Sequence, residues 1–359
     1  MKISDVFTSG AIAADWNRYL EENNDEPLLG EAFFPDKKKL GLDLKFIKGA
    51  SGVPVALQPS AFDALATVRD RIGFTVMQDE MPYFKESYLI KEADRQELLR
   101  IQESSSPYAE AVVSNIYGDV RDLIIGARVT RERMRWQLLT PTTSTPMISI
   151  SINGTPKDYN YDPNGEWAAT NYLSLSGTSA WTAYTTADPL KDLEDAVEAL
   201  ETASGVRPAY VVMNLKTFND IKKCDSIKQY IVASSANGRA IINRESVTKL
   251  LEDELKLSII VYTKKFRATQ TSTAQTYIPD NVVTLLPGEV GDTVFGTSPF
   301  EADKLANVGG DTSIIDTGVA VKVVNTGEHS ELCQTQSLVG MVTLPSYEGM
   351  NNVYVIKTA

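Results

Sequence analysis

The sequence predicts an α+β protein with more than one packed region, and three observations carry that expectation. A single helical stretch runs from Ser106 to about Leu139, an Asn-Gly hairpin follows it directly, and helices and strands then mix without regular βαβ alternation. The 359 residues exceed what one compact core organises, so extended segments joining or flanking the packed regions are expected. Hydrophobic residues at 43% and charged ones at 23% match soluble globular proteins and exclude bulk disorder.

Residues 3–22 suit a short amphipathic helix, because Ile12, Trp16, Tyr19 and Leu20 recur at helical spacing before the breakers of Asn23–Pro27. It is expected to act as a docking arm. The stretch after it, punctuated by Gly41, Gly49, Gly52, Pro54 and Pro59, reads as short strands and turns. From Ala66 to Glu80 the apolar Ala66, Val68, Ile72, Phe74 and Val76 share one parity, the signature of a half-buried strand. A two-stranded excursion is marginal alone in water, so its apolar face is expected to meet another subunit.

The long helix opens at Ser106-Pro107, an N-cap followed by proline where a missing N–H does no harm. Val113, Ile116, Val120, Leu123, Ile124, Ala127, Met134 and Leu138 form its apolar stripe, and Pro141 stops it. At 1.5 Å rise per residue it spans on the order of 50 Å, the length of a spine. In the hairpin Met147–Ile152 alternates, Asn153-Gly154 supplies left-handed turn geometry, and Tyr159 and Tyr161 continue the return.

A second helix starts at Asp188-Pro189, carries Leu190, Leu193, Val197 and Leu200 on one face, and ends at Gly205. Strands are expected at Ala209–Met213, Leu257–Tyr262, Val282–Leu286, Val319–Val324, Leu338–Leu344 and Val353–Ile356. Helices are expected at Leu215–Lys223 and Glu245–Leu255.

Chemistry is scarce along this chain. The only histidine, His329, has Glu328 and Glu331 beside it, which make no ligand pattern, and reads as an exposed loop residue. No G-x-S-x-G elbow, P-loop or dinucleotide fingerprint occurs. Asp158, Asn160 and Asp162 match the first ligands of a calcium loop, but Pro163 and Ala169 occupy its glycine and acidic positions. The acidic clusters Asp192-Glu194-Asp195 and Glu252-Asp253-Glu254 read as solvated helix faces. Asn153-Gly154-Thr155 matches a glycosylation acceptor, of no consequence without a secretory signal. Two cysteines, Cys224 and Cys333, fit a reducing compartment, and no apolar window approaches a membrane span. No catalytic, cofactor or metal site is expected. Net charge of −12 argues against a broad nucleic-acid grip, yet suits a container wall that must not adhere to phosphate over its inner face.

Arg121, Arg128, Arg131 and Arg135 lie seven, three and four residues apart and so fall near one face of the spine. Three readings compete: a solvated face, intersubunit pairing with carboxylates, and a stripe facing packaged DNA.

The order of parts, with the local text, resembles the major capsid proteins of tailed bacteriophages, in particular the lambda-type capsid protein E family. The segments are AFFPDKKKL with FIKGASGVPVAL, RVTRERMRWQLLTPTTSTPMISISINGTPKDYNYD, VYTKKF, YIPDNVVTLLPGEVGDTVFGTSPFEAD and CQTQSLVGMVTLP. The resemblance implies the tailed-phage major capsid fold, also found in the floor of herpesvirus capsids, with an N-terminal arm at 1–47 and an extended loop at 48–92 reaching across a neighbour. It implies a peripheral domain at 93–187 and 317–359 built on spine helix 106–139, and an axial domain at 188–316 around five-fold and six-fold axes. It implies a structural, non-enzymatic subunit that forms pentamers and hexamers of an icosahedral capsid around double-stranded DNA held non-specifically. A separate scaffolding protein, a portal and a decoration protein are the implied partners, with assembly in the host cytoplasm and residence in the virion. A nanocompartment shell holding cargo enzymes is the alternative.

Overall fold

The spine is present as one helix of 33 residues, Pro107–Leu139. The computed structural model describes residues 7–23, 27–48, 75–90, 96, 107–152, 155–234, 242–306, 310–325 and 335–359. Ser106, Asn153-Gly154, His329, Cys333 and the strand expected over 66–74 lie outside them.

In chain order the elements before the spine are α1 (Ser9–Asn23), α2 (Leu29–Phe33), β1 (Asp36–Lys38), β2 (Asp43–Lys48), β3 (Thr75–Glu80) and β4 (Tyr83–Ile90). The spine is α3. It is followed by β5 (Met147–Ile152), β6 (Thr155–Asn160), α4 (Glu166–Asn171), β7 (Tyr172–Ser174), α5 (Pro189–Ser204) and β8 (Tyr210–Met213). Then come α6 (Leu215–Lys223), α7 (Asp225–Ser234), α8 (Arg244–Leu255), β9 (Ser258–Val261), β10 (Lys265–Phe266) and β11 (Gln275–Thr276). The chain closes with β12 (Val282–Leu286), β13 (Thr293–Phe295), α9 (Pro299–Leu305), β14 (Asp311–Asp316), β15 (Val319–Asn325), β16 (Thr335–Pro345) and β17 (Tyr354–Lys357).

Two large sheets organise these elements. One runs β1-β13-β16-β15-β14, with β4 also paired to β16; the other runs β7-β17-β12-β8-β9. The helix limits follow local chemistry: Asp188 caps α5 and Gly205 closes it at φ +70°, while Asn243 and Ser246 form a reciprocal capping box on α8. Helices α5, α6, α7 and α8 bury Leu193, Leu200, Phe218, Ile221, Ile227 and Leu251 against Val211, Val283 and Ile356 of the second sheet. The N-terminal half of the spine packs Ile116, Val120 and Ile124 against α1, through Ile12 and Trp16, and against Val321, Val339 and Met341 of the first sheet. Its C-terminal end is wrapped by residues of both sheets. There the Thr284 hydroxyl on β12 donates to the Leu139 carbonyl at 2.7 Å, satisfying one of the orphan acceptors at the helix end.

Three expectations need adjustment. Tyr83–Ile90, expected within the extended loop at 48–92, is the strand β4, paired antiparallel with β16 of its own subunit from Thr335 to Val342. Helix α7 was not foreseen, because its apolar Ile227 and Ile231 occupy only one narrow stripe within ten residues. The boundaries at 187 and 316 also fail to coincide with sheet boundaries. β13, α9 and β14 precede 316 yet two of them are strands of the spine's sheet, while β7 and β17 lie outside 188–316 yet pair in the other. Sheet membership is decided by tertiary pairing, and nothing local in β13 or β17 announces it.

The β14–β15 turn shows how tightly the spine's sheet is built. Gly318 sits at φ +70°, and an added Cβ would lie 2.3 Å from the ring of fully buried Phe295. Gly318→Ala combines left-handed strain with overpacking and should lower stability by about 1–3 kcal/mol, read as a drop in the chemical denaturation midpoint.

Candidate assembly site: the arginine row of the spine

All four arginines of the row turn toward segments of their own chain. Arg121 pairs with Asp15 of α1 at 2.7 Å and lies 4.6 Å from the centre of the Tyr19 ring. Arg128 lies 5.9 Å from the Trp16 ring, one turn back along the same arm helix. Arg131 bridges Asp36 of β1 at 2.7 Å and Asp316 of β14 at 2.8 Å. Arg135 also binds Asp36, and its Nε donates to Thr293 Oγ1 at 2.8 Å. The row is therefore a docking track for α1 and β1, with cation–π contacts at Arg121 and Arg128 and ionic ones at Arg121, Arg131 and Arg135.

For Arg131 and Arg135 this corrects the three sequence readings. They are only 3% and 2% exposed, so neither lies on a solvated face, and their carboxylate partners belong to the same subunit. The reason lies in the helix itself: Met134, Trp136, Leu138 and Leu139 are all buried, so the last turns of the spine keep only the narrow strip of Thr130, Arg133 and Gln137 partly open to water, and Arg131 and Arg135 lie off it. That signal was available in MRWQLL, and it outranks charge spacing.

Sequence reasoning missed the partner residues, of which Glu132 is the hub. This carboxylate has no exposure; its Oε1 accepts from the Gly30 amide at 2.9 Å, Trp136 Nε1 at 2.6 Å and the Tyr262 hydroxyl at 3.0 Å. Oε2 faces Arg135 Nη1 at 3.7 Å. A Cβ on Gly30 would meet Oε2 at 2.5 Å, so only glycine lets the backbone approach.

Burial governs the electrostatics here. It raises the Asp36 carboxyl above its ordinary value despite the two arginines, and lowers Arg135. Burial acts the same way on Asp316, but the Arg131 charge and hydrogen bond, the Thr317 amide and the Arg128 charge outweigh it and hold that carboxyl low. The Tyr262 hydroxyl is pushed far up by burial and by the neighbouring Glu132.

The decoys resolve as structural groups. Asp158 accepts from the Ser149 hydroxyl, Asn160 from the Asp162 amide, and Asp162 from the Ala168 amide, so each side chain serves the hairpin exit. Asp192 accepts from Trp181 Nε1 at 2.8 Å. Cys224 is a buried free thiol, pushed up to about 11 by burial. Among the described residues no group of three His, Cys, Asp or Glu could hold a metal ion, and no helix is long and apolar enough to cross a membrane. The surface carries large exposed apolar side chains instead, with Leu40 80% and Leu305 69% exposed.

The model of the family described as phage major capsid protein E matches residues 19–312. Among solved structures, a capsid protein assigned to a prophage of E. coli CFT073 is similar over 98% of this chain and 99% of its own, with TM-score 0.59 and 13% identity. A phage-related protein from Bordetella bronchiseptica RB50 covers 98% and 97%, with TM-score 0.54 and 14% identity. The capsid asymmetric unit of cyanophage A-1(L) covers 92% of each chain, with TM-score 0.52 and 11% identity. A search of curated protein sequences gave no match.

Two outcomes test the cluster. Arg135→Met leaves Asp36 and Glu132 short of a partner in the interior and should destabilise the subunit by about 3–5 kcal/mol, measured by denaturant unfolding. The Asp316 carboxyl titrates below 3.8 in the fold and near it when unfolded, so its contribution is complete above 3.8 and lost as pH falls through the folded value. Asp316→Asn should accordingly be less stable at neutral pH, and its deficit against the parent chain should shrink as the pH is stepped below 3.8.

Proposed function

The chain belongs to the phage major capsid protein E family and is a structural subunit of a phage capsid, and from that premise we propose that its copies close as pentamers and hexamers into an icosahedral shell around double-stranded DNA. The observation that carries the proposal is the family match across residues 19–312, joined to a capsid-type α+β fold over nearly the whole chain. The same match favours the capsid over the nanocompartment reading.

Physical features support the assembly steps. The β2–β3 ribbon pairs from Asp43–Glu80 to Lys48–Thr75 and joins neither large sheet. It is braced at one end by the Tyr159 hydroxyl on the Glu80 carbonyl and by Lys157 near Asp79. A two-stranded ribbon is marginal alone, so the part of the extended loop that precedes β4 gains its stability by crossing a neighbour. Exposed Leu40, Leu42 and Leu305 supply apolar area for such contacts. In this reading the part of 188–316 built on the second sheet surrounds the symmetry axes, and assembly in the host cytoplasm uses a separate scaffolding protein, a portal and a decoration protein. The arginine row acts inside the subunit, fixing the arm to the spine, while packaged DNA meets a wall whose net charge of −12 keeps it from sticking.

Electron microscopy of the purified chain, expressed alone and with its neighbouring gene products, tests this. Regular shells that hold DNA in the full context are expected. A uniformly monomeric protein in both preparations would overturn the shell, and closed particles loaded with protein rather than DNA would favour the nanocompartment.

A further inference from the structure

Every open sheet carries edges, and an edge offers unpaired amides and carbonyls to any strand that comes near. Most edges here are blunted. β1 and β7 are three residues long, and β1 carries Lys37 and Lys38. β14 is overlaid by α1, whose Ser9 hydroxyl binds Asp311 at 2.6 Å. β4 bears Lys85 and Glu86 along its length.

The edge at β9 has no such composition. Leu257–Tyr262 reads LSIIVY, an uncharged, β-branched window of the kind that pairs with itself. Ser258 and Tyr262 donate their amides inward, to the Ala209 and Met213 carbonyls of the neighbouring strand segment. Alternation along the strand then turns the Ile259 and Val261 amides outward. One of these meets a side chain: the Ile259 amide donates to Glu252 Oε1 at 3.3 Å, from the last turn of α8. Glu252 opens the acidic run Glu252-Asp253-Glu254, and its exposed neighbours Asp253 and Glu254 make no such bond to the edge.

We propose that Glu252 guards the β9 edge, occupying one of its two outward amides and setting a negative charge over it. The excluded partner is a second copy of this chain, whose own β9 would otherwise add antiparallel about a two-fold axis. Such a pair is isologous and self-complementary. It would trap subunits outside the order that a closed shell requires, and a protein that must gather many copies of itself is acutely exposed to that side reaction. The guard itself stands on the edge geometry, and only its bearing on assembly rests on the capsid reading.

The test compares Glu252→Ala with Asp253→Ala in the full chain, two variants with the same loss of charge on one exposed helix turn. Material that pellets as irregular aggregate, separated by electron microscopy from regular particles, should form several-fold faster for Glu252→Ala than for Asp253→Ala or the parent. Adding Ser258→Lys to Glu252→Ala puts charge back at the exposed edge without repairing the lost hydrogen bond, and should return aggregation to the parental rate. Equal rates for the two single variants would overturn the guard. So would failure of the lysine to rescue, since that result assigns the aggregation to a weakened fold rather than an open edge.

Discussion

The Glu132–Arg135–Asp36–Arg131–Asp316 cluster is the interaction on which the rest of the subunit depends, because it joins four segments that are remote in sequence. It binds the N-terminal segment, the spine, β14 and, through Thr293, the strand β13. Buried charge of this kind adds little net stability, since desolvation consumes most of the Coulombic gain. Its effect is on register. β1 is a three-residue strand set against β13 with Asp36 opposite Thr293, and such a short pairing specifies its own alignment weakly. A slip of one residue would bring Lys37 toward Arg131 and Arg135 in place of Asp36. Like charges facing each other in a buried site are far costlier than anything three backbone pairs could recover.

With β1 fixed, the neighbouring geometry follows. The Phe34 carbonyl accepts from Thr293, the Phe33 carbonyl accepts from the Val290 amide, and Phe34 packs against Tyr347. These contacts hold the connection between β12 and β13, where the chain passes from one large sheet to the other. The return passage between β16 and β17 is secured beside it by Ser346, whose amide donates to the Asp292 carbonyl and whose hydroxyl accepts from the Asp292 amide. Both crossings therefore lie next to the arm segment that the arginines hold.

How much of this was legible depended on the range of the interaction. The spine, the hairpin and α5 could be read because their limits are set by neighbours within a few residues: Pro107, Pro141, Asp188 and Gly205. The strands Val282–Leu286 and Tyr210–Met213 could be read because burial on both sides leaves a near-continuous apolar run, broken only by Thr284. β4 could not, since YFKESYLI has charges mid-strand and owes its pairing to β16, some 250 residues later in register. The arginine row is legible as a row, but the burial of Arg131 and Arg135 is not. Spacing reports which side chains share a helical face, whereas what covers that face is settled by Asp15, Asp36 and Asp316, none of which is adjacent in sequence.

That internal pairing bears on how a strongly acidic wall can be made without a basic face. Had the row faced solvent, four arginines along about four turns of helix would have formed a local anion-binding stripe whatever the net charge. Counterion release makes such a stripe adhesive to a phosphate backbone. In the folded subunit Arg121, Arg131 and Arg135 are matched by Asp15, Asp36, Glu132 and Asp316, so their charge is spent inside the chain. The longest basic run along the spine thus secures the arm, and because its paired arginines meet at least as many carboxylates the acidic balance of the rest of the chain is almost unchanged. One arrangement meets both needs: it sets the register of the N-terminal segment, and it keeps the paired arginines from forming an anion-binding stripe.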